Sequence, residues 1–129
     1  VRPDATLPGT SILAAECGIH DSNSAVTRTN LVYSLVYSGI APDQTLPGAT
    51  GTRLNTYQFD QYANDAAVLT DKVAEMLVGG ALPAAARTAV INAVNAVTLS
   101  ATPTAQQLTD RSRMAVYLIA SSYHYQVQR

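Results

Sequence analysis

Charged side chains are scarce in this sequence. They make up 13% of the 129 residues, about half the usual share of a soluble domain, and the formal net charge is −1. Because no cluster of Lys or Arg is present, the sequence lacks the electrostatic footprint that nucleic acid or anionic lipid requires, and no nucleic-acid partner is predicted. The surface must rely on Ser, Thr, Asn and Gln, a composition that suits an exported protein.

Cysteine is limited to Cys17, which excludes an intrachain disulfide and leaves the redox compartment open. The longest apolar runs fall short of the ~20 residues that span a bilayer, so no membrane span is predicted. Gly-x-Ser-x-Gly, Ser-x-x-Lys and Gly-rich phosphate-binding motifs are also missing, which removes the usual sequence support for serine hydrolase and nucleotide chemistry. No cofactor is predicted.

The apolar residues that are present favour helices. No set of segments shows the period-2 alternation of several strands, so we predict an all-α fold, a small bundle of about four main helices plus one short aromatic helix near residues 56–63. Short linkers between the last three helices favour antiparallel neighbours. The four main helices have these predicted buried stripes: Ala25, Val32, Leu35 and Val36; Leu69, Val73, Met76 and Leu77; Val90, Ile91, Val94 and Val97; Leu108, Ala115, Leu118 and Ile119.

Capping residues mark the ends of these helices. The first helix begins at Ser22 or Asn23 and ends at Gly39, while Asp65 is placed to cap the second main helix, which stops at Gly79-Gly80. Pro83 suits the first turn of the third, which stops near Ser100, and Thr104 with Gln107 forms a capping box for the last. The helix boundaries are therefore predicted by local chemistry.

Two segments are predicted to be irregular within a single helical domain that spans residues 1–129. Residues 1–20 form an extended lead-in rich in Pro, Gly and Thr, and residues 40–55 form one long loop. Within that loop, Pro47-Gly48 has the order that a type II turn needs.

Several segments resemble a known family. They are Pro8-Gly9-Thr10, Glu16-Cys17-Gly18-Ile19, Thr29-Asn30-Leu31-Val32, Pro47-Gly48-Ala49-Thr50-Gly51-Thr52 and the helical run from Arg111 with its tail Tyr-His-Tyr-Gln-Val-Gln-Arg. Together they resemble the carboxyl-terminal part of the bacterial exported proteins catalogued as domain of unknown function 1800. The resemblance implies a mostly helical fold, a periplasmic or extracellular location and no assigned catalytic residue. It also implies a fragment, whose partner is the missing amino-terminal portion or a second copy of the chain.

The segment from Glu16 to Asp21 crowds a nucleophile, an imidazole and two carboxylates together. Cys17 and His20 are a candidate thiol and base, and Glu16 with Asp21 is a candidate acid and base pair. Cys17, His20 and His124 are also candidate metal ligands. The alternative is a loop that leads to a helix cap, with an inert cysteine and no metal.

A second group combines carboxylates with aromatic rings. Asp60 and Asp65 are a second candidate acid and base pair, and the rings of Tyr57, Phe59 and Tyr62 around them are candidate sugar-binding residues. Rings beside carboxylates are typical of clefts that bind a carbohydrate ligand. The alternative for Asp65 is the cap described above.

The final helix carries Arg111 and Arg113, for which we expect an ion pair to a neighbouring helix, with anion binding as the alternative. Tyr117, Tyr123 and Tyr125 are expected to be core and corner residues. The sequence thus predicts a helical packing, interaction or binding module of an exported bacterial protein. The alternative is a hydrolase, acting on polysaccharide through a carboxylate pair.

Overall fold

A computed structural model describes residues 22–126 of the chain. Within that range the protein is all-α, as the sequence predicts, with six helices and no β-strand. The elements are α1 (Ser22–Tyr33), a π-helical turn that extends it (Ser34–Ser38), α2 (Tyr57–Asp60), α3 (Ala66–Val78), α4 (Ala84–Ala96), α5 (Ala105–Ser121) and α6 (Tyr123–Gln126). Four of these are the expected main helices, and α2 is the expected short one.

The chain divides into two compact units, with the boundary after Leu31. The described part of the first is the amino-terminal portion of α1, where the Thr29 hydroxyl donates to the carbonyl of Ala25, 3.0 Å away. The second unit, from Val32 onward, holds the rest of the described helices.

Most of the predicted helix ends are confirmed. Asp65 accepts hydrogen bonds from the amides of Ala67 and Val68 at the start of α3, and Gly79 ends that helix in the left-handed conformation, with φ of 72°. Thr104 and Gln107 form the reciprocal capping box that starts α5. Gly39 ends the π-helical turn, with φ of 76°. α4 differs, because Pro83 is its N-cap rather than a residue of its first turn, and the helix ends at Ala96 rather than near Ser100.

The core of the second unit lies between α3, α4 and α5. Most of the predicted stripe residues lie in it, buried or half-buried, and the fully buried ones include Leu69, Val73, Val94 and Ile119. Met76 is a correction: its side chain is 58% exposed, because it projects from the solvent side of α3. The amide of Gln58 donates to its sulfur there, over 3.4 Å.

α5 is the central element of this unit. It packs against α2, α3, α4, α6 and the π-helical turn, whereas α3 and α4 also pack against each other. Arg87 of α4 reinforces that second contact with two hydrogen bonds to the carboxylate of Asp71 on α3, at 2.7 and 2.8 Å.

The long loop is confirmed, and it folds back on the π-helical turn. Ile40 and Thr52 exchange two backbone hydrogen bonds, at 2.7 and 2.9 Å, and the amide of Leu54 donates to the carbonyl of Leu35. Gly51 makes this approach feasible, because its φ is +74° and a Cβ there would lie 2.5 Å from the carbonyl oxygen of Ile40. The predicted turn is present as well, with φ of +82° at Gly48.

No helix in residues 22–126 has both the length and the apolar character needed to cross a membrane.

Candidate functional site

One predicted cluster cannot be placed. Glu16, Cys17, His20 and Asp21 lie outside the described residues. The acid and base pair, the thiol mechanism and two of the three metal ligands therefore remain predictions from the sequence.

The third metal candidate, His124, lies on α6. Its ring packs edge-on against that of Tyr123, with centroids 5.9 Å apart. Across the described helices and loops, no three His, Cys, Asp or Glu side chains are grouped as a metal site would require.

The two described carboxylates of the predicted catalytic pair have different surroundings. One Asp65 oxygen accepts the two amide hydrogen bonds of the α3 cap, at 2.8 and 3.2 Å, so the capping alternative is confirmed. One Asp60 oxygen accepts a hydrogen bond from the Thr109 hydroxyl of α5, at 2.7 Å. The other Asp60 oxygen is buried and has no hydrogen-bond partner among residues 22–126.

The three candidate stacking rings also separate. The prediction that Phe59 binds a sugar is wrong, because this residue is only 6% exposed and belongs to the core. Tyr62 is half-buried against that core. Tyr57 is 68% exposed and lines a cleft, so it alone remains available to a ligand.

The arginines of α5 correct a further expectation. Arg111 reaches across to neighbouring elements, but it donates to the carbonyl oxygens of Val97, at 2.8 Å, and Ala63, at 3.2 Å, rather than to a carboxylate. Arg113 lies 3.6 Å from Asp110 on its own helix. The predicted ion pair to another helix is therefore wrong for both residues.

Arg113 instead belongs to a line of side chains along α5. Thr109, Arg113 and Tyr117 are spaced four residues apart, which places them on one face of a helix. Thr109 and Arg113 line a cleft of about 220 Å³, whose opposite wall is the segment from Arg53 to Tyr57. The cleft is thus formed by α5 and by the chain that returns from the long loop.

The loop contacts determine where Arg53 lies. The hydrogen bonds between Ile40 and Thr52 end one residue before it, and its Nη2 donates to the carbonyl oxygen of Ser38 over 3.2 Å. Two arginines that are 60 residues apart in the sequence therefore line the same cleft (53 and 113).

Three tyrosines cluster one helical turn beyond Arg113. The ring centroids of Tyr33 and Tyr37 are 4.9 Å apart. The ring of Tyr117 packs nearly edge-on against both, with its centroid 5.9 Å from that of Tyr33 and 6.0 Å from that of Tyr37. Tyr33 is 51% exposed. Such ring pairs stabilise by about 0.5–1.5 kcal/mol beyond area burial, and the three rings form an aromatic patch.

Charged groups of α5 influence the ionisation of Tyr37. Burial is the main cause that raises the pKa of Tyr37, followed by the neighbouring Tyr33 and the carboxylate of Asp110, while the Arg113 guanidinium opposes the shift. We name this region the tyrosine–arginine surface: Arg53, Tyr57, Thr109, Arg113, Tyr33, Tyr37 and Tyr117.

Sequence reasoning missed most of this surface. The four-residue spacing of Thr109, Arg113 and Tyr117 was a usable signal for one wall. Tyr117 is half-buried, as expected, but Tyr123 and Tyr125 of the tail are 61% and 46% exposed, so their prediction as core residues was wrong.

Comparison with known proteins does not assign the chain to a family. No protein-family model, curated protein or solved structure matches the chain.

Proposed function

We propose that the chain is a ligand-binding module of an exported bacterial protein and that the tyrosine–arginine surface is its binding site. The observation that carries the proposal is the line of Thr109, Arg113 and Tyr117 on α5, which joins a cleft to an aromatic patch. Tyr and Arg are the residues most enriched in energetically important binding contacts, because both combine a rigid planar group with hydrogen-bonding capacity. The weakly charged composition and the family resemblance support the assignment to an exported protein.

Two of the described carboxylates have structural roles, which favours binding over catalysis for them. Asp65 caps α3, and Asp71 pairs with Arg87. Each is a structural use of a carboxylate, and neither residue lines the cleft.

Hydrolysis is a second candidate function, and one observation favours it. Asp60 has a buried oxygen without a hydrogen-bond partner in residues 22–126, and its other oxygen is bonded to Thr109, which lines the cleft. Under this alternative, Asp60 serves as acid or base for a ligand held there. The Asp60→Asn variant would then retain binding and lose turnover.

The test of the proposed function is binding without turnover. A panel of oligosaccharides and peptides is titrated into the ¹⁵N-labelled protein, and product formation is measured on the same samples. We expect backbone shifts near Arg53, Thr109 and Tyr117 and none near Lys72, which lies on the exposed face of α3. Steady conversion of the bound ligand would reject a purely binding role.

Two exposed tyrosines provide a matched control. Tyr33 belongs to the aromatic patch, whereas Tyr123 is similarly exposed, at 61%, and its ring packs only against His124 among the described aromatic rings. Tyr33→Ala is expected to weaken binding and Tyr123→Ala to leave it unchanged. Equal effects of the two substitutions would place the binding site elsewhere.

A further inference from the structure

The cleft between α5 and the segment from Arg53 to Tyr57 carries two positive charges. Arg53 and Arg113 line it together with Leu54, Asn55, Thr56, Tyr57 and Thr109, so no Asp or Glu is among its described lining residues. A guanidinium group presents its donors as a planar fork that matches a carboxylate or phosphate. The two guanidinium groups are therefore complementary to an oxyanion, with the charge of Arg113 partly offset by Asp110, 3.6 Å away.

Most of the donors of these two arginines are available. Arg53 uses its Nη2 for the carbonyl of Ser38 and makes no other hydrogen bond to residues 22–126. Arg113 makes none in that range; its closest carboxylate is Asp110, at 3.6 Å, longer than the ~2.7–2.9 Å of a charge-assisted hydrogen bond. A bound oxyanion would accept hydrogen bonds from these N–H groups and would compete with Asp110 for Arg113.

The size of the cleft limits what it can hold. Its volume of about 220 Å³ is below the roughly 300–1,000 Å³ of pockets that enclose a whole drug-sized ligand. The cleft is therefore too small to enclose an oligosaccharide, most of which must lie outside it.

Tyr57 is the exposed aromatic residue among those that line the cleft. Its ring is 68% exposed although it lines the cleft, and its amide is fixed by the side chain of Asn55 over 3.0 Å. An exposed tyrosine ring is flat and apolar on its face and polar at its hydroxyl, which suits the alternating apolar faces and hydroxyls of a sugar.

We propose that the cleft binds the carboxylate of an acidic sugar between Arg53 and Arg113, while a sugar ring packs against Tyr57. This inference rests on the proposed binding function and names its ligand class, a uronate-containing oligosaccharide. Lengthening the ligand would extend it along α5 toward Tyr117 and the aromatic patch.

The test uses a galacturonate trisaccharide, the neutral galactose trisaccharide and inorganic phosphate as probes in calorimetric titrations. We expect the acidic trisaccharide to bind at least about tenfold more tightly than the neutral one, because a hydrogen bond to a charged group is involved. Its affinity falls as salt concentration rises. Equal binding of both trisaccharides, or of neither, overturns the proposal, as does binding of phosphate alone.

Variants locate the two parts of the ligand. Arg53→Gln and Arg113→Gln are each expected to weaken the acidic trisaccharide about tenfold or more, whereas Lys72→Gln removes a charge outside the cleft and changes nothing. Arg53→Lys and Arg113→Lys keep the charge but lose the planar fork, so they weaken binding less than the glutamine variants. Tyr57→Leu weakens the trisaccharide and leaves any phosphate binding unchanged. A loss with Lys72→Gln that matches the loss with either arginine variant contradicts the proposed cleft.

Failure of this inference is distinguishable from failure of the proposed function. If the galacturonate trisaccharide does not bind but another ligand shifts Thr109 and Tyr117 in the NMR titration, the surface is a binding site and the ligand class is wrong. If the trisaccharide binds in the cleft and is cleaved, the ligand class is right and the non-catalytic role is wrong.

Discussion

The Nε of Arg111 donates a hydrogen bond to the carbonyl oxygen of Val97, 2.8 Å away, and so ties α5 to the end of α4. The same guanidinium donates from Nη1 to the carbonyl of Ala63, in the turn that precedes α3. Arg111 is only 7% exposed, so both bonds form where water cannot easily replace them.

We predict that Arg111→Met lowers the free energy of unfolding by about 3 kcal/mol, because two carbonyl oxygens lose their charged donor. Arg111→Lys keeps the charge but cannot donate in both directions from one planar group, so it should also destabilise, by a smaller amount. Urea unfolding at constant m-value measures both. A methionine variant as stable as the parent protein would show that the two bonds contribute no net stability.

Gly51 and Gly48 form a matched pair for the long loop. Both have positive φ, so alanine at either position introduces backbone strain of about 1–2 kcal/mol. Gly51→Ala should cost more, because its Cβ would meet the Ile40 carbonyl oxygen at 2.5 Å, while no atom lies within 4 Å of a Cβ at Gly48. Hydrogen exchange of the Ile40 and Thr52 amides should accelerate only in Gly51→Ala. Equal exchange in both variants would mean that the close approach does not hold the loop.

We predict that Asp65 caps α3 through its hydrogen bonds, so that an uncharged side chain with the same acceptor can replace it. Asp65→Ala should destabilise by about 1 kcal/mol, because the amides of Ala67 and Val68 lose their acceptor, whereas Asp65→Asn should retain most of the stability. Thermal unfolding followed by circular dichroism compares the two. If asparagine is as damaging as alanine, the charge of Asp65 has a role beyond capping.

The pair of Asp71 and Arg87 predicts a pH dependence. The hydrogen bonds from Arg87 are the main cause that holds the pKa of Asp71 below its ordinary value. Because the folded-state pKa is depressed, this pair stabilises the protein above the ordinary aspartate range, and the contribution is lost as pH falls through the folded-state pKa. Both side chains are substantially exposed, at 53% and 38%, so the effect is small and decreases with salt.

Unfolding of Asp71→Asn and the parent protein across the acid range tests this sign. The variant should be less stable at neutral pH, and the difference should shrink as the medium becomes more acidic. A difference that stays constant with pH would contradict the ion pair as its source.

The helices were predictable because their signals are local. Asp65, Gly79 and the pair of Thr104 and Gln107 act within a few residues of their own backbone, and the structure confirms each. Met76 was misassigned because helical spacing alone does not define the edge of a buried stripe.

The candidate site was far less predictable, because tertiary contacts create it. Nothing near Arg53 in the sequence indicates that it lines the same cleft as Arg113. The backbone hydrogen bonds between Ile40 and Thr52 fold the long loop back and place Arg53 there. The partners of Arg111 are carbonyl oxygens, and every residue except the last in a chain has one, so residue types do not identify them. Phe59 and Tyr57 are two residues apart, yet only packing determines that one is buried and the other exposed.

The central position of α5 has a consequence for synthesis on the ribosome. Translation completes α3 and α4 before Ala105–Ser121 exists, so Leu69, Val73 and Val94 have no α5 to cover them in the nascent chain. The contact between α3 and α4 can form earlier, but the described core cannot be completed until Ile119 has left the ribosome, and until then part of the apolar surface of both helices stays exposed.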